Sequence, residues 1–123
     1  MLDEKNKLRQ QIESSVLEQA LSLVNEDNEK ENVILVAADN WHPGVIGIVS
    51  ARLREKFNKP ACVVSIQNGI GKGSGRSISG WDLGSAIIGA VQSGLLKGGG
   101  GHKMAAGFSV GSDKVFELKQ YLN

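Results

Sequence analysis

Two short segments of this chain combine glycine with cations or histidine, the residue types that bind phosphate groups. The first is the run Gly98-Gly99-Gly100-Gly101, which His102 follows directly. Four consecutive glycines can adopt backbone conformations closed to other residues, so we expect a loop whose N–H groups converge on an anion. His102 would stand at the edge of this loop and donate a hydrogen bond to a phosphate oxygen. The alternative is a flexible loop with an incidental histidine.

The second segment, Lys72-Gly73-Ser74-Gly75-Arg76-Ser77, alternates glycine with cations and hydroxyl groups. Because side chains alternate between the faces of a strand, Lys72, Ser74 and Arg76 share one face, and Gly73, Gly75 and Ser77 share the other. Arginine can bind a phosphate through two parallel hydrogen bonds, which lysine cannot. The glycine face carries almost no side chains, so we expect another group to lie flat on it. The alternative is a solvated edge strand that uses charge against aggregation.

One further histidine and the two tryptophans are open to a binding or a packing role. His42 lies in the loop from Asp39 to Gly44, between a buried strand and a helix, where α/β sheets place ligands. His42 is therefore a candidate contact to the substrate phosphate, whereas Trp41 beside it favours packing on the helix. Trp81 is able to stack on a nucleobase, but its place before a helix is more typical of a core residue.

Glycine and charge are unevenly distributed along the 123 residues. All 16 glycines lie between Gly44 and Gly111, and they make up about twice the usual share. Residues 1–32 hold four Lys and Arg against eight Asp and Glu, whereas residues 33–123 hold ten against five. The glycine-rich part is therefore the basic part. Bare backbone surrounded by cations is what a phosphate-binding surface needs.

Composition also excludes several classes of protein. With 41% apolar and 22% charged residues, the chain is typical of a folded domain. Its longest apolar run, Val33 to Ala38, has six residues, and its start has no signal-like stretch, so we expect a cytoplasmic protein with no membrane partner. Cys62 is the only cysteine and lies in an apolar run, so we expect it in the core and without a disulfide. The acids after residue 32 do not cluster with histidine, and we expect no metal site in this chain.

Hydrophobic periodicity predicts alternating helices and strands. Residues 3–24 form an amphipathic helix, followed by the acidic segment 25–32. Strands are predicted at 33–38, 61–66, 70–78 and 105–110, and helices at 45–57, from Asp82 to about residue 92, and from Asp113 to residue 121. This order indicates an α/β fold, a mixed β-sheet of about four to five strands flanked by helices and preceded by an N-terminal connector helix. Residues 1–32 would be the connector and linker, and residues 33–123 the phosphate-binding domain.

Three motifs in this order resemble a known family, the C-terminal DHH-associated subdomain of RecJ-type single-strand-specific exonucleases in the DHH phosphoesterase superfamily. They are Asn40-Trp41-His42-Pro43-Gly44-Val45-Ile46-Gly47-Ile48-Val49, the segment Lys72 to Ser77, and Gly98 to His102 with Ala105-Ala106-Gly107. The glycine–histidine and Ser-x-Arg-Ser motifs are shared across the superfamily, whereas the Trp-His-Pro-Gly-Val-Ile-Gly stretch is more specific to the RecJ branch. The likeness spans roughly residues 33 to 110, and the first helix is similar to the family's long connector.

The resemblance implies an enzyme that hydrolyses single-stranded DNA from the 5′ end in repair and recombination, using Mn²⁺ or Mg²⁺. In that family the metal ligands lie in the N-terminal DHH domain, whose motif this chain lacks, so we expect a fragment that is inactive alone. Arg76 and His102 with its glycines would bind the DNA backbone beside the metals, and His102 would assist the scissile phosphate as charge develops on it. The DHH domain of the same polypeptide would supply two-metal hydrolysis. The full candidate phosphate-binding set is Lys72, Ser74, Arg76, Ser77, Gly98, Gly99, Gly100, Gly101, His102 and His42.

Three other functions stay open at this point. The chain could belong to another DHH phosphoesterase, acting on oligoribonucleotides or cyclic dinucleotides, although the Trp-His-Pro-Gly stretch argues against it. It could also be a non-nuclease RNA-binding module of the tRNA-editing kind. A purely structural alternative is that the apolar stripe of the first helix forms a dimer. In a fragment without its partner domain, such a dimer would be an artefact of excision.

Overall fold

The computed structural model describes residues 2–24 and 30–123, and the side chains among them from Lys7 onward. The described residues form four α-helices, five strands and a single-turn 3₁₀-helix at Ser112–Lys114. The helices are α1 Leu2–Leu23, α2 Ile46–Phe57, α3 Leu83–Gln92 and α4 Val115–Leu122. The strands are β1 Ile34–Asp39, β2 Ala61–Gln67, β3 Ile70–Arg76, β4 Gly98–Gly101 and β5 Ala105–Gly111.

The five strands form one open sheet in the order β1-β2-β3-β5-β4. Strands β1 and β2 are parallel and are joined by α2, whereas every other pair is antiparallel. A tight turn at Asn68-Gly69, with φ values of 53° and 78°, joins β2 to β3 as the Asn-Gly signal predicts. The predicted α/β class with a mixed sheet and a leading helix is confirmed, and five strands lie within the expected number.

Helices α1 and α2 cover one face of the sheet, over β1 and β2. Val16 and Ala20 of α1 and Val49 and Leu53 of α2 are buried there against β1 and β2. Trp41 is also buried in this cluster, and its indole N–H donates to Gln19 Oε1 at 2.8 Å. Trp41 therefore packs and ties α1 to the end of β1, which is the structural role that its position favours.

Helices α3 and α4 cover the opposite face, and the positions of β3 that belong to this buried face are glycines. A side chain at Gly73 would overlap the Phe108 ring, which belongs to the facing residue on β5. A Cβ at Gly75 would lie 2.9 Å from Leu83 and 3.0 Å from Cys62 Sγ. The group expected to lie flat on this strand is thus the Phe108 ring of the core, which fits only because β3 has no side chains there.

Several local predictions can be compared with the structure. Asp82 caps α3 as predicted, since its carboxylate accepts from the Ser85 N–H at 3.1 Å. Cys62 is fully buried, as expected, and burial raises the pKa of its thiol to about 12. The prediction that Asp113 caps the last helix is wrong. Asp113 lies inside the 3₁₀ turn, and α4 begins after it without a side-chain cap.

The bounds of two other segments bear on the predicted organisation. Strand β3 ends at Arg76 rather than at residue 78, because the Ser77 hydroxyl donates to the Trp81 carbonyl at 2.8 Å and closes a turn. The predicted acidic segment 25–32 lies largely outside the described residues, and the division at residue 32 stays a prediction.

Among the residues that the structure describes, no helix has the length and apolar character needed to cross a membrane.

Candidate nucleic-acid interface

The outward face of β3 holds Lys72, Ser74 and Arg76, on the side of the sheet that α2 partly covers. Arg76 Nη1 donates to Ser74 Oγ at 3.0 Å and to the Gly75 carbonyl at 2.8 Å. The guanidinium is therefore held in one orientation and is partly buried, while Lys72 is exposed. Because arginine has five N–H donors, most of them remain to bind an anion.

The Arg76 guanidinium lies against the first turn of α2. A Cβ at Gly47 would come within 2.7 Å of Arg76 Nη2 and 3.2 Å of Ser74 Oγ. Glycine at this helical position therefore leaves the space that the Arg76 side chain occupies. The first turn of a helix also carries unpaired N–H groups and a positive dipole end, so two sources of positive potential meet at Arg76.

His42 lies in the loop that leads into the same helix, and it is exposed. Its Nδ1 accepts the Gly44 N–H at 2.9 Å, so the neutral ring carries its proton on Nε2 and can donate from there. Arg9 of α1 approaches the same turn, since its Nη2 lies 4.0 Å from the position of a Cβ at Gly44. Sequence reasoning missed Arg9, because only the packing of α1 beside α2 brings this cation to the loop.

Beside β3, the same face of the sheet is bare backbone at its glycines, between the side chains of Ala105 and Ser109 on β5. The register places Ser74 opposite Gly107 on β5, and Gly107 opposite Gly100 on β4. A Cβ at Gly98 or Gly100 would meet no atom within 4 Å, and one at Gly107 would meet only the Gly73 carbonyl at 3.8 Å. We call the surface formed by Gly98, Gly100 and Gly107 the glycine shelf. It extends about 10 Å from Ser74, which is two strand spacings.

Folding alone does not require glycine on this shelf. Gly98, Gly100 and Gly107 all have negative φ, so other residues can adopt their backbone conformations. Each position also has room for a side chain. The absence of side chains therefore keeps the surface flat and its peptide groups accessible, immediately beside the Arg76 guanidinium.

The prediction that Gly98–Gly101 form a loop is wrong, because these residues are an edge strand paired with β5. In an extended strand, successive N–H groups point in opposite directions, so they do not converge on one anion. Only Gly101 has a positive φ, at 155°, and a Cβ there would overlap backbone atoms of β5. One edge of β4 has no neighbouring strand among the described residues.

His102 follows β4 and is exposed at the rim of an open depression of about 530 Å³. Its N–H donates to the Ala105 carbonyl at 2.7 Å. Its own carbonyl packs over Gly84, where a Cβ would approach it to 2.9 Å. The backbone of His102 is thus fixed, while the imidazole stays available at the end of the glycine strand.

Ser77 differs from the other candidates, because it is fully buried. Its hydroxyl donates to Trp81 and its N–H donates to the Met104 carbonyl at 2.8 Å. The structure therefore brings Lys72, Ser74, Arg76, Gly98 and Gly100 to one face, with His42 beside the same helix, and does not bring Ser77 to that surface.

The described residues do not fit a divalent metal ion. They contain no group of three or more His, Cys, Asp and Glu side chains placed to hold one. Asp82 lines the same depression as His102 and accepts two hydrogen bonds from Ser85, which lower the pKa of its carboxyl below the ordinary 3.8. Lys103 lowers it further by charge. This carboxylate caps a helix and has no acidic partner in the same depression.

The mixed α/β sheet carries helices on both faces and leaves the fixed Arg76 and the bare glycine strand open on one of them, an arrangement that a phosphodiester backbone can contact. Residues 30–123 match the model of the DHHA1 domain family, so this chain belongs to that family. The predicted resemblance to the DHH-associated subdomain of RecJ-type exonucleases is confirmed.

The curated relatives are similar over nearly the whole chain. The single-stranded-DNA-specific exonuclease RecJ of Bacillus subtilis is 37% identical over 99% of this chain, and that of Escherichia coli is 34% identical over 97%. The alignments cover 16% and 22% of those proteins, so the chain spans about a fifth of their length or less. The crystal structure of Thermus thermophilus RecJ with Mn²⁺ matches 98% of this chain and 17% of that protein at 30% identity, with a TM-score of 0.83.

Proposed function

We propose that this chain is the nucleic-acid-binding part of a RecJ-type exonuclease that hydrolyses single-stranded DNA in the 5′→3′ direction. The observation that carries the proposal is the glycine shelf beside Arg76. Neither the backbone angles nor the available space requires glycine at positions 98, 100 and 107. An extended polynucleotide backbone lying on the sheet does require it, because side chains there would keep the strand away. The relatives named for this activity align with nearly the whole chain.

In this proposal the cations and the shelf have separate tasks. Arg76 binds a phosphate with its remaining N–H donors, positioned by Ser74 and by the turn of α2 at Gly47. Lys72 adds charge from the same face, and His42 donates from Nε2 at the start of the helix. His102 stands at the end of β4, where a donor can stabilise negative charge that develops on a phosphate.

Hydrolysis itself requires groups beyond those described here. The crystal structures of Thermus thermophilus RecJ are complexes with Mn²⁺ and with Mg²⁺, and the described residues of this chain do not fit such an ion. We therefore assign the metals to a DHH domain of the same polypeptide, with DNA held between the two domains. This chain alone would bind DNA without turnover. The whole enzyme would act in DNA repair and recombination in the cytoplasm.

The test is fluorescence anisotropy of a labelled single-stranded DNA oligonucleotide at several salt concentrations. We expect Arg76→Ala to weaken binding and to reduce the slope of log K against log salt by about 0.7, since one phosphate contact is lost. The matched control is Arg52→Ala, which removes the same charge from an arginine that already pairs with Glu13 and Glu55. Equal effects of the two substitutions would contradict the assignment to Arg76.

A second variant tests the shelf rather than the charge. Gly100→Val leaves the net charge and the core unchanged, and it places a branched side chain on the open face. We expect weaker DNA binding, an unchanged salt slope and a melting temperature at or above that of the wild type. Wild-type affinity for this variant would show that DNA does not lie on the shelf. Tighter binding to structured RNA than to single-stranded DNA would favour an RNA-binding module instead.

A further inference from the structure

A second depression adjoins the one at His102 and has no role in the phosphate contacts described above. It has a volume of about 410 Å³, enough for a nucleobase, and the two depressions share Asp82, Lys103 and Met104. Its apolar wall is formed by Ile78, Trp81 and Met104. It therefore adjoins the depression at the end of β4, where His102 stands.

Ser77 holds together two residues that line this pocket, Met104 and Trp81. The Ser77 N–H donates to the Met104 carbonyl at 2.8 Å, and its hydroxyl donates to the Trp81 carbonyl at 2.8 Å. Ser77 directly follows Arg76 in the chain. The end of β3 thus positions both the phosphate-binding arginine and, through Ser77, the backbones of Trp81 and Met104.

The apolar groups in the pocket are only partly used by the fold. Met104 is 42% exposed, and Trp81 is half-buried and packs on the core under α3. Among the described residues, the Trp81 indole N–H makes no hydrogen bond, whereas that of Trp41 donates to Gln19. An indole with an accessible surface and an unused donor, in the same pocket lining as a thioether, suits a flat aromatic ligand.

The charges at the rim favour a base over a phosphate inside the pocket. The Asp82 carboxylate would repel a phosphate, but it can accept hydrogen bonds from the ring or amino N–H groups of a base. Lys103 lines the same rim and can neutralise the phosphate attached to that base. Carboxylate and ammonium groups together therefore match the two ends of a nucleotide.

We propose that this pocket binds one unpaired nucleobase of the bound strand, stacked on Trp81 and in contact with Met104, with Lys103 on the neighbouring phosphate. Stacking on an aromatic side chain is tolerant of sequence, as binding of unspecified single strands requires. The inference rests on the proposed function for the arrival of the strand. The pocket itself depends only on Trp81, Met104 and the bonds from Ser77.

The experiment compares a short single-stranded oligonucleotide with its abasic equivalent, which keeps the phosphates and lacks the bases. Wild-type protein should bind the base-bearing strand about fivefold or more tightly than the abasic one. Trp81→Leu should reduce this preference while leaving abasic affinity unchanged, and Trp81→Phe should retain most of it. An unaltered preference in Trp81→Leu would overturn the proposal. Met104→Ala, at an exposed side chain, gives the same test if Trp81→Leu fails to fold.

A ligand titration separates this proposal from the proposed function. The indole N–H resonances of Trp81 and Trp41 are followed by NMR while deoxyadenosine monophosphate is added, and then ribose 5-phosphate as a probe without a base. We expect only the nucleotide to shift the indole N–H resonance of Trp81, and we expect the resonance of the hydrogen-bonded Trp41 to stay unchanged. If no oligonucleotide binds but Trp81 shifts, the proposed function fails and the pocket stands. If neither probe shifts Trp81, the pocket assignment is wrong.

Discussion

Neighbouring glycines of β4 have opposite surroundings, so replacing them one at a time should give opposite effects on stability. A Cβ at Gly98 or Gly100 meets no atom within 4 Å. A Cβ at Gly99 would lie 2.9 Å from the Ile87 side chain, and one at Gly101 would overlap the backbone of β5. The perturbation is therefore four single Gly→Ala substitutions within one run of four residues.

The structure sets the size of each effect. Gly98→Ala and Gly100→Ala fit without strain and restrict the unfolded chain, so each should stabilise the fold by about 0.5 kcal/mol. Gly99 is itself exposed, but a Cβ there would lie 2.9 Å from the Gly107 carbonyl oxygen as well as from Ile87, and this crowding costs about 1–3 kcal/mol. At Gly101 an alanine would overlap the backbone of β5 and would also have to adopt a positive φ of 155°. Gly101→Ala should therefore destabilise the fold at least as much as Gly99→Ala.

Urea unfolding followed by circular dichroism measures these differences. With an m-value of about 2 kcal/mol per molar, a difference of about 2 kcal/mol separates the midpoints of the two pairs by about 1 M. The expected order alternates along the strand, with positions 98 and 100 at or above wild type and positions 99 and 101 below it. Four equal midpoints would refute the strand and its register, since a flexible glycine loop would show no alternation.

Three further outcomes follow from individual side chains. Because Cys62 is buried and its pKa is raised to about 12, the native protein at pH 8 should resist a thiol reagent until denaturant unfolds it, and immediate labelling would contradict the burial. Asp82 has a lowered pKa in the fold, so Asp82→Ala should destabilise the protein at neutral pH. The difference from wild type should shrink as pH falls through and below 3.8, and a pH-independent difference would exclude this linkage. Trp41→Phe should cost about 1 kcal/mol in thermal unfolding and little further once Gln19 is also replaced, because the two share one hydrogen bond.

Most of the fold could be predicted from the sequence because its signals are local. The four-residue apolar spacing in α1, the Asn68-Gly69 turn and the cap at Asp82 each act over a few residues, and each forms as predicted. Strand β4 could not be predicted in this way. Its four glycines carry no alternation of apolar and polar side chains, and only pairing with β5 makes them extended.

The candidate site was predictable to the extent that it follows strand periodicity. The alternation that places Ser74 and Arg76 on one face also places Ser77 on the other, so the burial of Ser77 is consistent with the same rule. No sequence pattern indicated that Arg9 belongs to the site, because its approach to the loop at Gly44 depends on how α1 packs against α2. Tertiary packing therefore accounts for what periodicity did not predict.

The density of glycine in this chain has two separate physical causes, and they fall on opposite faces of one sheet. Glycines turned toward α3, such as Gly73 and Gly75, are required by the volume of Phe108 and Leu83. Those of the glycine shelf are required by neither volume nor backbone angle. A glycine that folding does not need allows a ligand to lie directly on the strand. Any side chain at that position would hold the ligand away from the peptide groups. For this reason, substitutions on the shelf report first on binding and change stability only slightly, whereas substitutions on the opposite face report first on stability.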